Sequence, residues 1–145
     1  MHLQQLPSFL KGSFKIQDRS SQIAGSMISA QDGEHWWDCC YGAGGKSLQL
    51  LDTHPHVRIA ASDKRESILT NFKERLSKNE KSRVELVIAD LESTDPFTFK
   101  GKLFDGIIAD VPCSGSGTWS RTPEMLTFFD EQELVKYTDR QKEIV

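Results

Sequence analysis

The spacing of apolar residues changes period several times along the chain, and each change predicts an element. Ile16, Ile23, Met27 and Ile28 fall on one side of a helix over residues 17–30, which Asp32-Gly33 closes. A short apolar strand over 35–40 is broken by Gly42-Ala43-Gly44-Gly45, and residues 46–52 can start a helix. A second strand is predicted over 57–62. Ile68, Leu69, Phe72 and Leu76 then share one face of a helix over 64–77, with charges on the other face. Residues 84–89 and 104–109 are nearly continuous apolar runs followed by Asp, as parallel strands covered on both faces require. This order of strand, helix, strand, helix, strand, loop, strand predicts an α/β fold with a doubly wound, mostly parallel sheet and right-handed crossovers.

In such sheets ligands sit beyond the carboxyl ends of the strands. Here those ends carry Asp38, Asp63, Asp90 and Asp110. Any one of them is explained as a helix or turn cap; four at successive strand ends predict one polar crevice.

Composition narrows the class. At 145 residues, 37% hydrophobic and 27% charged, the chain fits one globular domain. It contains no apolar run of membrane-spanning length, and Met1 to Leu10 has no signal-peptide pattern. Three cysteines, two of them adjacent as Cys39 and Cys40, make neither a disulfide framework nor a zinc site, so a reducing cytoplasm and no metal are expected. The formal charge of −3 provides no overall basic field, although residues 64–83 are locally basic.

The glycine loop follows a strand, opens a helix and is followed 21 residues after Gly42 by Asp63, at the end of the next strand. Glycines let the backbone approach a ligand, and an acid at that second strand can accept from both ribose hydroxyls, so a nucleoside-containing cofactor is expected. Gly45-Lys46-Ser47 is also the ending of a phosphate-binding P-loop, but the required earlier glycine is Cys40. The third glycine favoured by a dinucleotide is Ser47. S-adenosylmethionine, which carries ribose and adenine but no phosphate, tolerates this shortened loop. Beyond the fourth strand, Asp110-Val111-Pro112-Cys113-Ser114-Gly115-Ser116-Gly117-Thr118 places an acid and a thiol in a loop too rich in Gly and Ser to serve burial. Asp110 is expected to reach the crevice, Pro112 to stiffen the chain and Cys113 to face a substrate.

On these residues the chain resembles the Fmu/Sun family of S-adenosylmethionine-dependent RNA (cytosine-5)-methyltransferases along nearly its whole length. Gly12 to Gln22 is similar to the family's lead-in segment. Asp38-Cys39-Cys40-Tyr41-Gly42-Ala43-Gly44-Gly45-Lys46 resembles its D-x-C-A-A-P-G-G-K cofactor loop, with Tyr41, Gly42 and Ala43 replacing Ala, Ala and Pro. The stretch from Asp110 to Gly117, followed by Arg121-Thr122-Pro123-Glu124, is similar to D-A-P-C-S-G-x-G and R-x-P-D/E.

The resemblance implies a Rossmann-like methyltransferase domain over 32–145, incomplete at its C-terminus, behind a lead-in helical segment over 1–31. It implies a cofactor site of Cys40, Gly42, Gly44, Gly45, Lys46, Asp63, Arg65, Asp90 and Asp110, with Asp63 holding the ribose and Asp90 near the adenine amine. Asp110 and Cys113 would be catalytic, and Pro112 and Arg121 would meet substrate, a ribosomal or transfer RNA. In the family a Thr-Cys thiol attacks carbon 6 of cytosine and the Pro-Cys thiol, here Cys113, helps release the product.

The sequence stops at Gln141-Lys142-Glu143-Ile144-Val145 within a helical pattern that nothing caps. The expectation is a chain lacking the Thr-Cys segment and inactive alone. Its apolar fourth strand, with Phe104, Ile107 and Ile108, would lose cover and pair with another copy or with the remainder of the protein. Two alternatives remain: a DNA cytosine methyltransferase with Cys113 as nucleophile, and a nucleoside-binding module without turnover. Arg121 and the Gln17-Asp18 segment favour RNA.

Overall fold

Strands β1 (His35–Asp38), β2 (Arg58–Asp63), β3 (Val84–Ile88) and β4 (Gly106–Ile108) form one sheet in the order β3-β2-β1-β4. Every pairing is parallel. The computed structural model describes residues 5–10, 13–93, 99 and 101–145. Helices α1 (Pro7–Leu10) and α2 (Arg19–Ser26) precede the sheet; α3 (Gly45–Thr53), α4 (Glu66–Arg75) and α5 (Lys78–Lys81) connect its strands; α6 (Gln132–Ile144) follows two 3-10 turns, Ser116–Thr118 and Pro123–Leu126. The chain order reverses between β1 and β4, so the crevice of an open α/β sheet lies at the carboxyl ends of these two strands.

The pleat sends alternate side chains to opposite faces. The register puts Trp36 beside Ile59 and Gly106, and Asp38 beside Ala61 and Ile108. Ile59, Ala61 and Ile108 pack with Leu48 and Leu51 of α3 and Phe72 of α4 in the main core. Each of the large side chains among these, fully buried, contributes about 1.5–3 kcal/mol. Gly106 has no alternative, because a Cβ there would overlap the Trp36 ring. On the other face Trp37 meets Phe99 and Phe104, ring centroids 5.9 and 5.8 Å away. Ile144 of α6 packs beside Cys39, Ala89 and Leu91.

Three expectations change. The helical stripe of Ile16, Ile23 and Met27 is exposed, and only Ile28 packs on the core. α2 docks instead through Gly25, where a Cβ would overlap Gln49 of α3, and Gln49 Nε2 donates to the Gln22 carbonyl at 2.9 Å. The helix predicted over 64–77 runs only from Glu66 to Arg75; Leu76 is extended, and Ser77 and Glu80 then cap each other and start α5. The fourth strand is also shorter than 104–109: Phe104 precedes it and stacks on Trp37, Ile108 is buried, and only Ile107 is exposed, at 57%. No helix among the described residues is long and apolar enough to cross a membrane.

Candidate active site

A cavity of about 660 Å³ lies over the carboxyl ends of the strands. The loop after β1 supplies Cys40 and Gly42 and the first turn of α3 supplies Gly45 and Lys46; the ends of β2 and β3 supply Asp63, Arg65 and Asp90; the loop after β4 supplies Asp110, Pro112, Cys113 and Arg121. These residues are 81 positions apart at their extremes, Cys40 and Arg121, and the parallel topology alone gathers them. Gly44 does not line the cavity. Its φ of +74° makes the turn into α3, and a Cβ there would overlap the Phe72 ring. Gly42 also turns with a positive φ, +49°.

Asp38 lies beneath the loop, 1% exposed, and its Oδ2 accepts from Ser47 Oγ at 2.5 Å. Oδ1 has no partner among the described residues. Burial, reinforced by the negative Asp110, pushes its carboxyl up to about 7 against the opposing hydrogen bond from Ser47 and the positive Lys46. Asp63, 6% exposed, behaves oppositely. Burial raises its pKa, but the hydrogen bonds from Arg65 and Gly42 outweigh that and hold it below the usual carboxylate range. Lys46 Nζ forms an ion pair with Asp110 Oδ2.

Of the thiols, Cys113 is exposed on the cavity wall, Cys40 is half-buried and Cys39 is buried. A hydrogen bond from Cys39 lowers Cys40, while the same contact and burial raise Cys39. Among the described residues no cluster of His, Cys, Asp or Glu suits a metal ion.

Several cavity residues are not among those the sequence marks for the cofactor. Arg75, one of many charges on α4, donates to the Ala43 carbonyl, and Gln17 lies against Gly45. α6 closes the far side. Its Gln141 Nε2 donates to the Pro112 carbonyl at 2.8 Å, and Arg140 reaches Glu92 at 2.6 Å, which also binds Lys64 at 2.8 Å. Arg121 reaches Asp18 at 3.3 Å, so the lead-in segment and the loop after β4 meet at the rim. Tyr41 is buried against Phe72, which accounts for a large ring where the Fmu/Sun loop has Ala.

Comparison with known proteins agrees with this geometry. The ribosomal RNA small subunit methyltransferase B of Vibrio cholerae is 30% identical over 141 residues, covering 97% of this chain and 32% of that protein. Its counterpart in Pectobacterium carotovorum is 32% identical over 140 residues, with the same two shares. The crystal structure of PH0851 superposes with a TM-score of 0.88 at 21% identity, over 99% of this chain and 32% of that one, and shows the fold. NSun6 from Pyrococcus horikoshii, solved with SFG, gives 0.69 at 25% identity, over 79% of this chain and 29% of that one. The chain spans about a third of the length of these relatives. The model of the 16S rRNA methyltransferase RsmB/F family matches residues 26–145, and the chain belongs to that family.

Proposed function

We propose that this chain is the cofactor-binding part of an S-adenosylmethionine-dependent methyltransferase acting on carbon 5 of cytosine in ribosomal RNA, in the cytoplasm. One observation carries the reading: the loop bearing Asp110 and Cys113 opens into the same cavity as the glycine loop and Asp63.

The residues fit this cofactor. The cavity is within the range of about 300–1,000 Å³ that holds nucleoside-sized ligands. The buried Asp38 beneath the loop engages Ser47 in the first turn of α3, which opposes a pyrophosphate and tolerates a cofactor without phosphate. When bound, S-adenosylmethionine supplies an electrophilic methyl group on a sulfonium. Asp63 accepts from the ribose hydroxyls, Asp90 faces the adenine amine, and Cys40, Gly42 and Gly45 surround the methionine part. Lys46 steers Asp110 toward the cytosine, Pro112 stiffens the loop, and Arg121 faces RNA.

Carbon 5 of cytosine becomes nucleophilic when a thiolate adds to carbon 6, and loss of the carbon-5 proton later expels that thiolate. In this reading the attacking thiol belongs to a Thr-Cys segment outside this chain, and Cys113 assists release. The test is Cys113→Ser in the longer protein containing this chain. A covalent RNA adduct on a denaturing gel is expected, because attack proceeds and release fails. Loss of both adduct and methylation would make Cys113 the nucleophile instead. Failure of the unaltered longer protein to methylate RNA at all would favour a nucleoside-binding module.

A further inference from the structure

The carboxylate that is to hold the ribose is already fully engaged. Asp63 Oδ1 accepts from the Arg65 backbone N–H and from Arg65 Nε, both at 3.0 Å. Oδ2 accepts from Arg65 Nη2 at 3.0 Å and from the Gly42 backbone N–H at 3.2 Å. An ionised carboxylate offers about four lone-pair directions, so these donors saturate it.

The four donors are not equivalent. The two backbone N–H groups are fixed by the glycine loop and by the turn into α4. The two guanidinium donors sit on a side chain that is 57% exposed, against 6% for Asp63, so only they can leave without unfolding anything. Their planar fork presents two parallel N–H groups to one carboxylate. A ribose presents its 2′ and 3′ hydroxyls to a carboxylate in the same paired way.

We propose that the Arg65 guanidinium occupies the ribose-diol position on Asp63 and must swing out before a nucleoside binds, which makes Arg65 a determinant of nucleoside affinity. The inference rests on the cofactor reading above. Its physical reason is charge: an ionised Asp63 buried with only two backbone donors is costly, and the guanidinium compensates it until the diol arrives. The apparent affinity falls because the latched form must open before it can bind. Arg65 cannot donate the same fork to Asp63 and to a ligand, so it acts as a competitor for the site rather than as a contact to the ribose.

Calorimetric titration of this chain with S-adenosylhomocysteine, using wild type, Arg65→Ala and Arg65→Gln, tests the latch. Both variants are expected to bind about tenfold tighter, equivalent to about 1.4 kcal/mol. Adenosine should show the same gain. 2′,3′-Dideoxyadenosine, which lacks the competing diol, should show none, a distinction that general loosening of the site would not produce. Unchanged or weaker binding by both variants would overturn the latch and leave the cofactor reading standing. Absence of nucleoside binding by wild type and variants alike would overturn both.

Discussion

Lys46 Nζ lies 2.5 Å from Asp110 Oδ2, an ion pair that joins the first turn of α3 to the loop after β4 across the point where the strand order reverses. The Lys46 side chain is 19% exposed and that of Asp110 53%, so the lysine is the fixed partner and the acid is the one it aims. Asp110 precedes Pro112 and Cys113 on the same loop, and all three line the cavity, so under the function proposed above its direction would bear on where a substrate base rests.

Lys46→Met should therefore leave the fold intact and misplace Asp110. A displacement of about 1 Å at reacting groups can cost about 10²-fold in rate. In the longer protein, kcat for methyl transfer should fall by that order with KM for S-adenosylmethionine little changed. Single-turnover kinetics check this, and an unaltered kcat would show that the pair has no part in positioning.

Asp38 predicts a particular pH dependence of stability. Burial pushes its carboxyl up to about 7 in the folded protein, well above the ordinary carboxylate range. Below both values it is protonated in either state, and no charge is buried. As pH rises from about 4 to about 7 the unfolded chain releases its proton first, so stability is lost across that window and levels off above it. The full loss is about 4 kcal/mol as an upper bound, from about 1.36 kcal/mol per pH unit. Asp38→Asn removes this slope. Thermal or urea melts of both proteins from pH 4 to 8 check it, and parallel curves would place Asp38 at its ordinary value.

The glycine loop predicts unequal costs for two similar substitutions. At Gly42 the nearest atom to an added Cβ is the Cys40 carbonyl oxygen at 3.9 Å, so Gly42→Ala carries only the left-handed backbone cost of about 1–2 kcal/mol. Gly44→Ala carries that cost and a clash with Phe72, which adds about 1–3 kcal/mol. Urea midpoints should rank wild type, Gly42→Ala, Gly44→Ala in falling order. Equal midpoints for the two variants would contradict the packing of Phe72 on the loop.

The edge of the sheet predicts association. Among the described residues β4 pairs only with β1, and Ile107 on it is 57% exposed. An open apolar edge is a template for another strand, and a charge on it blocks that pairing. Light scattering should find this chain self-associating, and Ile107→Lys should shift it toward monomer. A wild-type chain that stays monomeric at high concentration would show that the edge needs no cover.

The element order, the four strand-end aspartates and the glycine loop were legible in the sequence, because each is written in local spacing: a period near 3.6 for Ile68, Leu69 and Phe72, apolar runs for β3 and β4, and glycines where the backbone turns to positive φ. The rule that ligands sit beyond parallel strand ends then placed Asp63, Asp90, Asp110 and Cys113 around one crevice. Local spacing encodes which face of an element is apolar, but not what lies opposite it. Only the tertiary structure decided that the stripe of α2 stays exposed while Gly25 docks, that Tyr41 fills the space beside Phe72, and that α4 stops just before Ser77 and Glu80 cap a new turn. It likewise decided the ion pair between Lys46 and Asp110, 64 residues apart, and the contribution of Gln17 and Arg75 to the cavity. Even the Asp63–Arg65 fork, two residues apart, depended on it, because the β2 carboxyl end had to be buried under the glycine loop before a neighbouring guanidinium became the donor that fills the site.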